Sequence, residues 1–374
     1  MEEEEIIKIP TLTIVISTYT QAASLEKLLK QLFSQFRELL VYAKKAKDLI
    51  EDIELLIVDN ASTDRTADLI CKIIAEKKNF NLETRYILEK EQGLSVTRNR
   101  AIKEAKGDSL AFINDEVELA DLWLKEVYDI AKQRFSMSIY GGRIKAKWGQ
   151  DLPEWLNFEP PFAIKHSCFP VHDYGEEERT YPFSIGKENS LLVKDEYDNG
   201  DAPEGLFVND ISIVNKLQMK LNQLTDYKVE VPNGVCFLVS KDVFKALHGF
   251  STDLADVGAI RNFAEEVEFF NRAVQFGLEL RYQPRIWVWH AVDKKLLTKK
   301  YILEAYRRWG FMTAYLRDIP IANNLNTNNL KLKLCFFKLL LYLSYLLIDP
   351  IKIFWFEAQC SEIKGEMQGL SVKN

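Results

Sequence analysis

The chain has 374 residues, 47% of them hydrophobic and 28% charged, an ordinary globular balance that allows one large α/β domain with an appendage, or two domains. A net charge of −6 argues against a general nucleic-acid binder. Five scattered cysteines, none in CxxC spacing, argue against a disulfide framework or a thiolate zinc site and suit a reducing cytosol.

The first ten residues, MEEEEIIKIP, are acidic and hold no long apolar run, so no signal peptide is expected. Leu12 to Ser17 (LTIVIS) is β-rich and apolar throughout, as a strand buried on both faces should be. Thr18 to Gln21 form the turn after it. Leu25, Leu28, Leu29, Leu32, Phe33, Phe36, Leu39, Leu40 and Ala43 then recur at helical spacing and predict one long amphipathic helix. A second buried strand, Glu54 to Val58, ends in Asp59 and Asn60. The turn ASTDRT (61–66) offers Ser62, Thr63 and Asp64 as caps for a helix reaching about Lys77. Thr84 to Leu88 reads as a third strand, followed by a loop and a helix from about Ser95. Leu110 to Ile113 is a fourth, with Asn114, Asp115 and Glu116 at its tip.

Three polar groups at the end of an apolar strand are costly unless something there uses them. The order β-α-β-α-β-α-β reads as a doubly wound half, in which ligands sit at the carboxyl ends of the strands. Right-handed crossovers bring those ends to one edge, so Thr18, Tyr19, Asp59, Arg98, Asn114, Asp115 and Glu116 can share a cleft. Two adjacent carboxylates there suit a hard divalent cation bridging to phosphate oxygens. Farther on, Gly141 and Gly142 read as turn residues, since they lack the strand–GxGxxG–helix setting of a phosphate cradle.

Four segments in this order, TIVISTYTQ, ELLIVDNASTDRT, GLSVTRNRAIKEAKGD and FINDEV, resemble the successive motifs of glycosyltransferase family 2, which has the GT-A fold. GGRIKAKW with PEWL, PNGVCFLVSKDVFKALHGF, AEEVEFFNRAVQFGLELRYQPRIWVWH and YRRWG extend the likeness over roughly residues 10–312. The resemblance implies an α/β, Rossmann-like, mostly parallel sheet, with residues 10–117 as the nucleotide-binding half of a domain spanning 1–312 and residues 118–312 on the acceptor side. It implies an inverting enzyme that moves a sugar from a nucleotide sugar, UDP-sugar favoured, to a saccharide or lipid-linked acceptor in surface-polysaccharide assembly.

By the same resemblance Thr18, Tyr19, Asp59, Arg98, Asn99, Asn114 and Asp115 contact the nucleotide. Asp115, Glu116 and His290 hold Mn²⁺ or Mg²⁺. Glu266, beside Glu265, is the catalytic base. The chain departs from the family in having Asn114 and Glu116 in a triplet that is usually all aspartate, and Glu266 where aspartate is normal. These departures motivate an alternative: a nucleotide-sugar-binding or scaffold subunit with impaired catalysis. A nucleotidyltransferase is disfavoured because no glycine-rich, basic loop follows the first strand.

The end of the chain reads differently. Between Asp293 and Lys352 there are eleven Lys/Arg against four Asp/Glu. Residues 321–329 read as a linker, and 330–356 is apolar but punctuated by lysines. Its uncharged run, Leu339 to Ile348, is too short to span a bilayer. The expectation for the 313–374 tail is a helix lying in the interface of the cell membrane's cytoplasmic face, or a hairpin pivoting at Asp349–Pro350. The competing expectation is a buried helical hairpin packed on the enzyme or on a second copy.

Overall fold

The computed structural model describes residues 11–46, 53–76, 82–133, 135–158, 162–165, 168–181, 231–253, 264–315, 327–347 and 349–373. Residues 182–230, most of the 157–231 segment that reads as a loop-rich insertion over the acceptor site, lie outside the described residues, as do 321–326 of the linker. The chain divides into two compact units, the first made of 1–152, 166–181 and 231–298 and the second of 153–165, 182–230 and 299–374. A boundary at 312/313 would instead cut through a helix, Lys299–Tyr315.

In the first unit β1 (Leu12–Thr18), β2 (Ile53–Asp59), β3 (Glu83–Leu88) and β4 (Ser109–Asn114) pair in parallel in the order β3-β2-β1-β4. The crossovers are α1 (Ala22–Ala46), α2 (Thr66–Glu76) and α3 (Leu94–Glu104). The periodic residues of α1 from Leu25 to Leu39, and Ala43, are buried, while Leu40 is 37% exposed. Asp64 serves two helices: Oδ1 accepts from Thr66 N (3.0 Å) and Oδ2 from Ala22 N (3.2 Å), so one carboxylate meets unpaired N–H groups at both starts.

Beyond β4 the sheet becomes mixed. The elements are β5 (Val117–Leu119), α4 (Trp123–Ala131), β6 (Ser138–Trp148), β7 (Arg179–Tyr181), β8 (Cys236–Ser240), α5 (Lys241–Leu247), α6 (Ala264–Gln275) and β9 (Glu279–Val292). The order continues β4-β8-β6-β9-β5, with β7 on β9. β8 is antiparallel to both β4 and β6, so β6 runs in the direction of β4, and β9 runs parallel to β6. The carboxyl ends of β6 and β9 therefore reach the same edge as the tips of β1, β2 and β4. Gly141 and Gly142 are not turn residues. They lie within β6, at the irregularity where its register with β9 jumps from Gly142↔Gln283 to Arg143↔Trp287.

The second unit contains α7 (Lys299–Tyr315), α8 (Thr327–Leu347) and α9 (Pro350–Lys373). The pivot expected at Asp349–Pro350 is present. Asp349 Oδ1 accepts from the N–H groups of Ile351 and Lys352, both at 3.1 Å, and Pro350 takes the first helical position, where a missing N–H costs nothing. Helices α7 and α9 touch through backbone. A Cβ on Gly310 would stand 2.0 Å from the Glu362 carbonyl oxygen, and one on Gly365 would stand 1.9 Å from that of Arg307. Phe354, Trp355, Phe356 and Ile363 of α9 are buried, and the Trp355 indole donates to the Ala163 carbonyl (3.1 Å). Among the described residues no helix is long and apolar enough to cross a membrane.

The glycine crossing yields a stability prediction. Gly310→Ala forces α7 and α9 apart and is expected to cost about 1–3 kcal/mol despite alanine's better helix propensity. Urea unfolding checks it; a variant as stable as wild type would mean the helices do not approach this closely.

Candidate functional site

The tips of β1, β2 and β4 converge by register, with Thr18 beside Asp59 and Ser17 beside Asn114. The loops that leave them are tied together. Thr20 N donates to Ser62 Oγ (2.8 Å), Thr63 N to Thr20 Oγ1 (3.3 Å), and Asn60 N to the Thr18 carbonyl (2.9 Å). Thr20 and Ala61 both adopt left-handed backbone, with φ of 56° and 57°. For a non-glycine residue this costs on the order of 1–2 kcal/mol, and for β-branched Thr20 it is an outlier. Strain of this kind persists where the surroundings over-determine it, commonly at functional sites.

Asp59 is 1% exposed and both its oxygens are engaged: Oδ1 accepts from Ser62 N (2.9 Å) and Oδ2 from the Tyr86 hydroxyl (3.0 Å). Burial and the Asp59 carboxylate push the Tyr86 phenol up to about 12, so it stays a donor. Asn60 extends the brace, donating to the Glu91 carbonyl (2.6 Å) and accepting from Gly93 N (2.8 Å). Tyr19 is 51% exposed at the loop tip, where a flat ring is free to meet a ligand.

Asp115 is the electrostatic oddity of this edge. It is 8% exposed, and its Oδ2, like the Thr18 hydroxyl, reaches no hydrogen bond of good geometry. Burial and the neighbouring Glu116 push the Asp115 carboxyl up to about 6, against the Thr18 hydroxyl and the Asp115 and Tyr19 N–H groups, which favour the charged form. Glu116 is exposed and accepts from the Gln21 side chain (2.5 Å). His290 lies opposite Val117 on β5. Its Nδ1 donates to the Ala291 carbonyl (3.0 Å), which leaves the lone pair on Nε2, and burial holds the ring below the usual histidine range.

These donors fit a hard divalent cation in kind: an orphaned buried carboxylate oxygen, a second carboxylate and a neutral imidazole. Among the described residues no three such side chains converge closely enough to hold an ion as they stand.

The other predicted residues cluster around Arg98. Its Nη2 donates to Glu266 Oε1 (2.6 Å) and to the Gly234 carbonyl (2.9 Å), and its side chain is 2% exposed against 22% for Glu266. Glu266 Oε2 accepts from Gly234 N (3.0 Å). Glu265 is buried with Oε2 unpartnered; burial raises its carboxyl, Arg98 opposes this, and Glu266 adds to it. The Asn99 side chain is engaged with backbone. Its amide accepts from Phe250 N and donates to the Phe250 carbonyl, both at 2.8 Å, and so clamps the turn after α5.

Gln21, Asn60, Tyr86 and Gly234 complete these contacts and were not singled out from the sequence. Asn60, at the tip of an apolar strand, and Gly234, in the turn signal Pro-Asn-Gly, each carry a local hint.

The raised Asp115 carboxyl has a pH signature. Its proton is held more tightly folded than unfolded, so stability falls as pH rises from about 4 to about 6, by at most about 3 kcal/mol. His290, held below its usual range by burial, acts with the opposite sign, so the readout is the difference from Asp115→Asn, measured with chelator present. The variant is expected to gain on wild type across that window; a flat difference would place the Asp115 carboxyl near its ordinary value.

Comparison with known proteins agrees with the resemblance. The model of glycosyl transferase family 2 matches residues 13–191. The succinoglycan biosynthesis protein ExoM of Rhizobium meliloti (strain 1021) is 26% identical over 110 residues, 29% of this chain and 32% of that protein. The putative teichuronic acid biosynthesis glycosyltransferase TuaG of Bacillus subtilis (strain 168) is 28% identical over 129 residues, 30% of this chain and 48% of that protein. The chain thus spans from a third to a half of these relatives' length. Among solved structures, the mannosyltransferase PcManGT of Pyrobaculum calidifontis, in complex with GDP-Man and Mn²⁺, aligns at a TM-score of 0.44 and 14% identity over 95% of this chain and 87% of that one. S. aureus TarS 1–349 in complex with UDP aligns at 0.41 and 14%, over 97% and 90%. Residues 13–191 are thus similar in sequence to glycosyl transferase family 2 domains.

Proposed function

We propose that the protein is an inverting glycosyltransferase that takes a nucleotide sugar, a UDP-sugar favoured, and glycosylates a saccharide or lipid-linked acceptor in surface-polysaccharide assembly. The observation that carries this reading is the buried, unpartnered Asp115 oxygen at the carboxyl edge of the parallel strands, inside the segment that matches the family. Thr18, Tyr19 and Asn114 border the same edge and are assigned to the nucleotide, while Asp59 is assigned to bracing the loop that faces it. Asn99 is assigned to the Phe250 turn.

The acceptor hydroxyl oxygen bonds to the anomeric carbon. The bond from that carbon to the diphosphate breaks, and its electron pair leaves with the nucleoside diphosphate. The hydroxyl proton passes to the Glu266 carboxylate. One displacement inverts the anomeric centre. A Mn²⁺ or Mg²⁺ ion held by Asp115 with Glu116 or His290 would act as a Lewis acid toward the departing diphosphate. The engagement of Glu116 by Gln21 favours a second reading, a protein that binds nucleotide sugars without turning them over.

Calorimetry with UDP, with and without Mn²⁺, on wild type and Glu116→Ala tests the site. Metal-dependent binding that Glu116→Ala weakens is expected; binding indifferent to metal would remove the metal assignment, and no binding would remove the nucleotide assignment. Glu266→Gln is expected to slow UDP-sugar hydrolysis by roughly 100- to 10,000-fold. A wild type that binds UDP and hydrolyses no UDP-sugar would select the second reading.

The setting proposed is the cytoplasmic face of the cell membrane, reached through α8. Leu332, Leu339, Tyr342 and Leu343 are 74%, 56%, 64% and 45% exposed, Lys331 and Lys338 are exposed beside them, and α8 contains no acidic residue. The protein is expected to sediment with phosphatidylcholine vesicles only when phosphatidylglycerol is included, and Leu339→Glu is expected to reduce the bound fraction. Equal sedimentation of variant and wild type would rule out this face.

A further inference from the structure

The guanidinium of Arg98, a residue 1% exposed, needs a counter-charge and hydrogen-bond acceptors; it finds both at Nη2, while Nη1 makes no hydrogen bond. Its Nη2 is shared between Glu266 Oε1 and the Gly234 carbonyl, and its Cζ lies 5.3 Å from the centre of the Phe250 ring and 5.9 Å from that of Phe237. The peptide at Gly234 works in both directions: its carbonyl accepts from Arg98 and its N–H donates to Glu266 Oε2. Asn233 Oδ1 accepts from Val235 N (3.0 Å) and fixes that turn. A Cβ on Gly234 would stand 1.9 Å from Glu266 Cδ, so the carboxylate lies directly on the backbone where any other residue would carry a side chain.

The family resemblance places an aspartate where Glu266 stands and sends Arg98 to the nucleotide. We propose that Arg98 and Gly234 form a socket that sets the reach of Glu266, so that Arg98 is a positioning residue for the acceptor base and not a ligand of the donor phosphates. The inference rests on the reading of Glu266 as that base. The extra methylene of glutamate extends the side chain by about one C–C bond, roughly 1.5 Å. The space left by the missing Cβ of Gly234 receives that extra length, and the two hydrogen bonds fix the carboxylate with one edge still open to solvent.

The test uses the full chain and the variants R98K, R98Q, G234A, E266D and the G234A/E266D pair. UDP is the binding probe, UDP-glucose and UDP-N-acetylglucosamine hydrolysis is the rate probe, and melting temperature is the third readout. R98Q is expected to bind UDP within about twofold of wild type, and to lose at least about tenfold in kcat at unchanged KM, with part of the loss recovered in R98K. G234A is expected to lower both kcat and melting temperature. E266D, whose carboxylate is withdrawn from the new Cβ, is expected to offset much of the melting loss, so the two substitutions interact instead of adding. A tenfold or larger loss of UDP affinity in R98Q would place Arg98 on the phosphates and overturn the proposal. Additive melting shifts for G234A and E266D would do the same, because a socket requires them to be coupled. The melting cycle needs no turnover. If Glu266→Gln hydrolyses donor at the wild-type rate, the base assignment fails by itself, and the cycle still decides whether the socket exists.

Discussion

Burying a full positive charge constrains everything around it. Arg98 projects from α3 into a layer of phenylalanines in which Phe112 stacks on Phe237 at 4.7 Å, with Phe244, Phe250, Phe269 and Phe270 packed edge-on or tilted about them. An unpaired guanidinium there would cost several kcal/mol, so the chain must deliver a carboxylate to it. Among the described residues α6 does so, through Glu266, which lies where the turn before β8 presents a glycine. The position of α6 against α3, and the path of the chain into β8, thus follow from one electrostatic requirement. Low polarity around the pair strengthens the attraction and also raises the penalty for any arrangement that separates the partners.

The tips of the parallel strands follow a complementary logic. Asp59, Asn60, Ser62 and Thr20 spend their hydrogen bonds on one another's loops, and the backbone accepts strain at Thr20 and Ala61 to close the network. Loops fixed before a ligand arrives lose little entropy when it does. Among the groups at these strand tips, the Thr18 hydroxyl and Asp115 Oδ2 make no hydrogen bond. A buried carboxylate oxygen without a hydrogen bond is costly, and this one stands at the carboxyl edge of the parallel strands.

The parallel half of the fold was legible because each of its elements carries its own period. β1, β2 and β4 are unbroken apolar runs, and α1 repeats its leucines and phenylalanines at helical spacing, so only the ends shifted, as when Asp59 proved to be the last residue of β2. The second half was less legible, since the insertion of β8 between β4 and β6 pairs residues 96 to 131 apart in sequence, which no local pattern encodes. The candidate site divides the same way. Asp115 and Glu116 announce themselves as charges on an apolar strand end. The roles of Arg98 and Asn99 do not, because both depend on which distant backbone faces them, Gly234 in one case and Phe250 in the other. Gly141 and Gly142 illustrate the converse error: a glycine pair resembles a turn in sequence, and only the register jump against β9 places it inside a strand.

The two helices at the end of the chain show how composition alone misleads. The 330–356 stretch reads as one apolar segment, yet α8 and α9 are buried to different degrees. Helix α9 carries Gly365 and Gly369, which with Gly310 allow backbone-to-backbone approach to α7, while its aromatics Phe354, Trp355 and Phe356 are buried against Trp155, Phe162 and Phe337. Helix α8 has no glycine and cannot approach a neighbour so closely. It buries Leu330, Phe337 and Ser344 on one side and leaves Leu332, Leu339, Tyr342 and Leu343 on the other, beside Lys331 and Lys338. Lys331 and Lys338 thus stand beside apolar surface that the described residues leave uncovered.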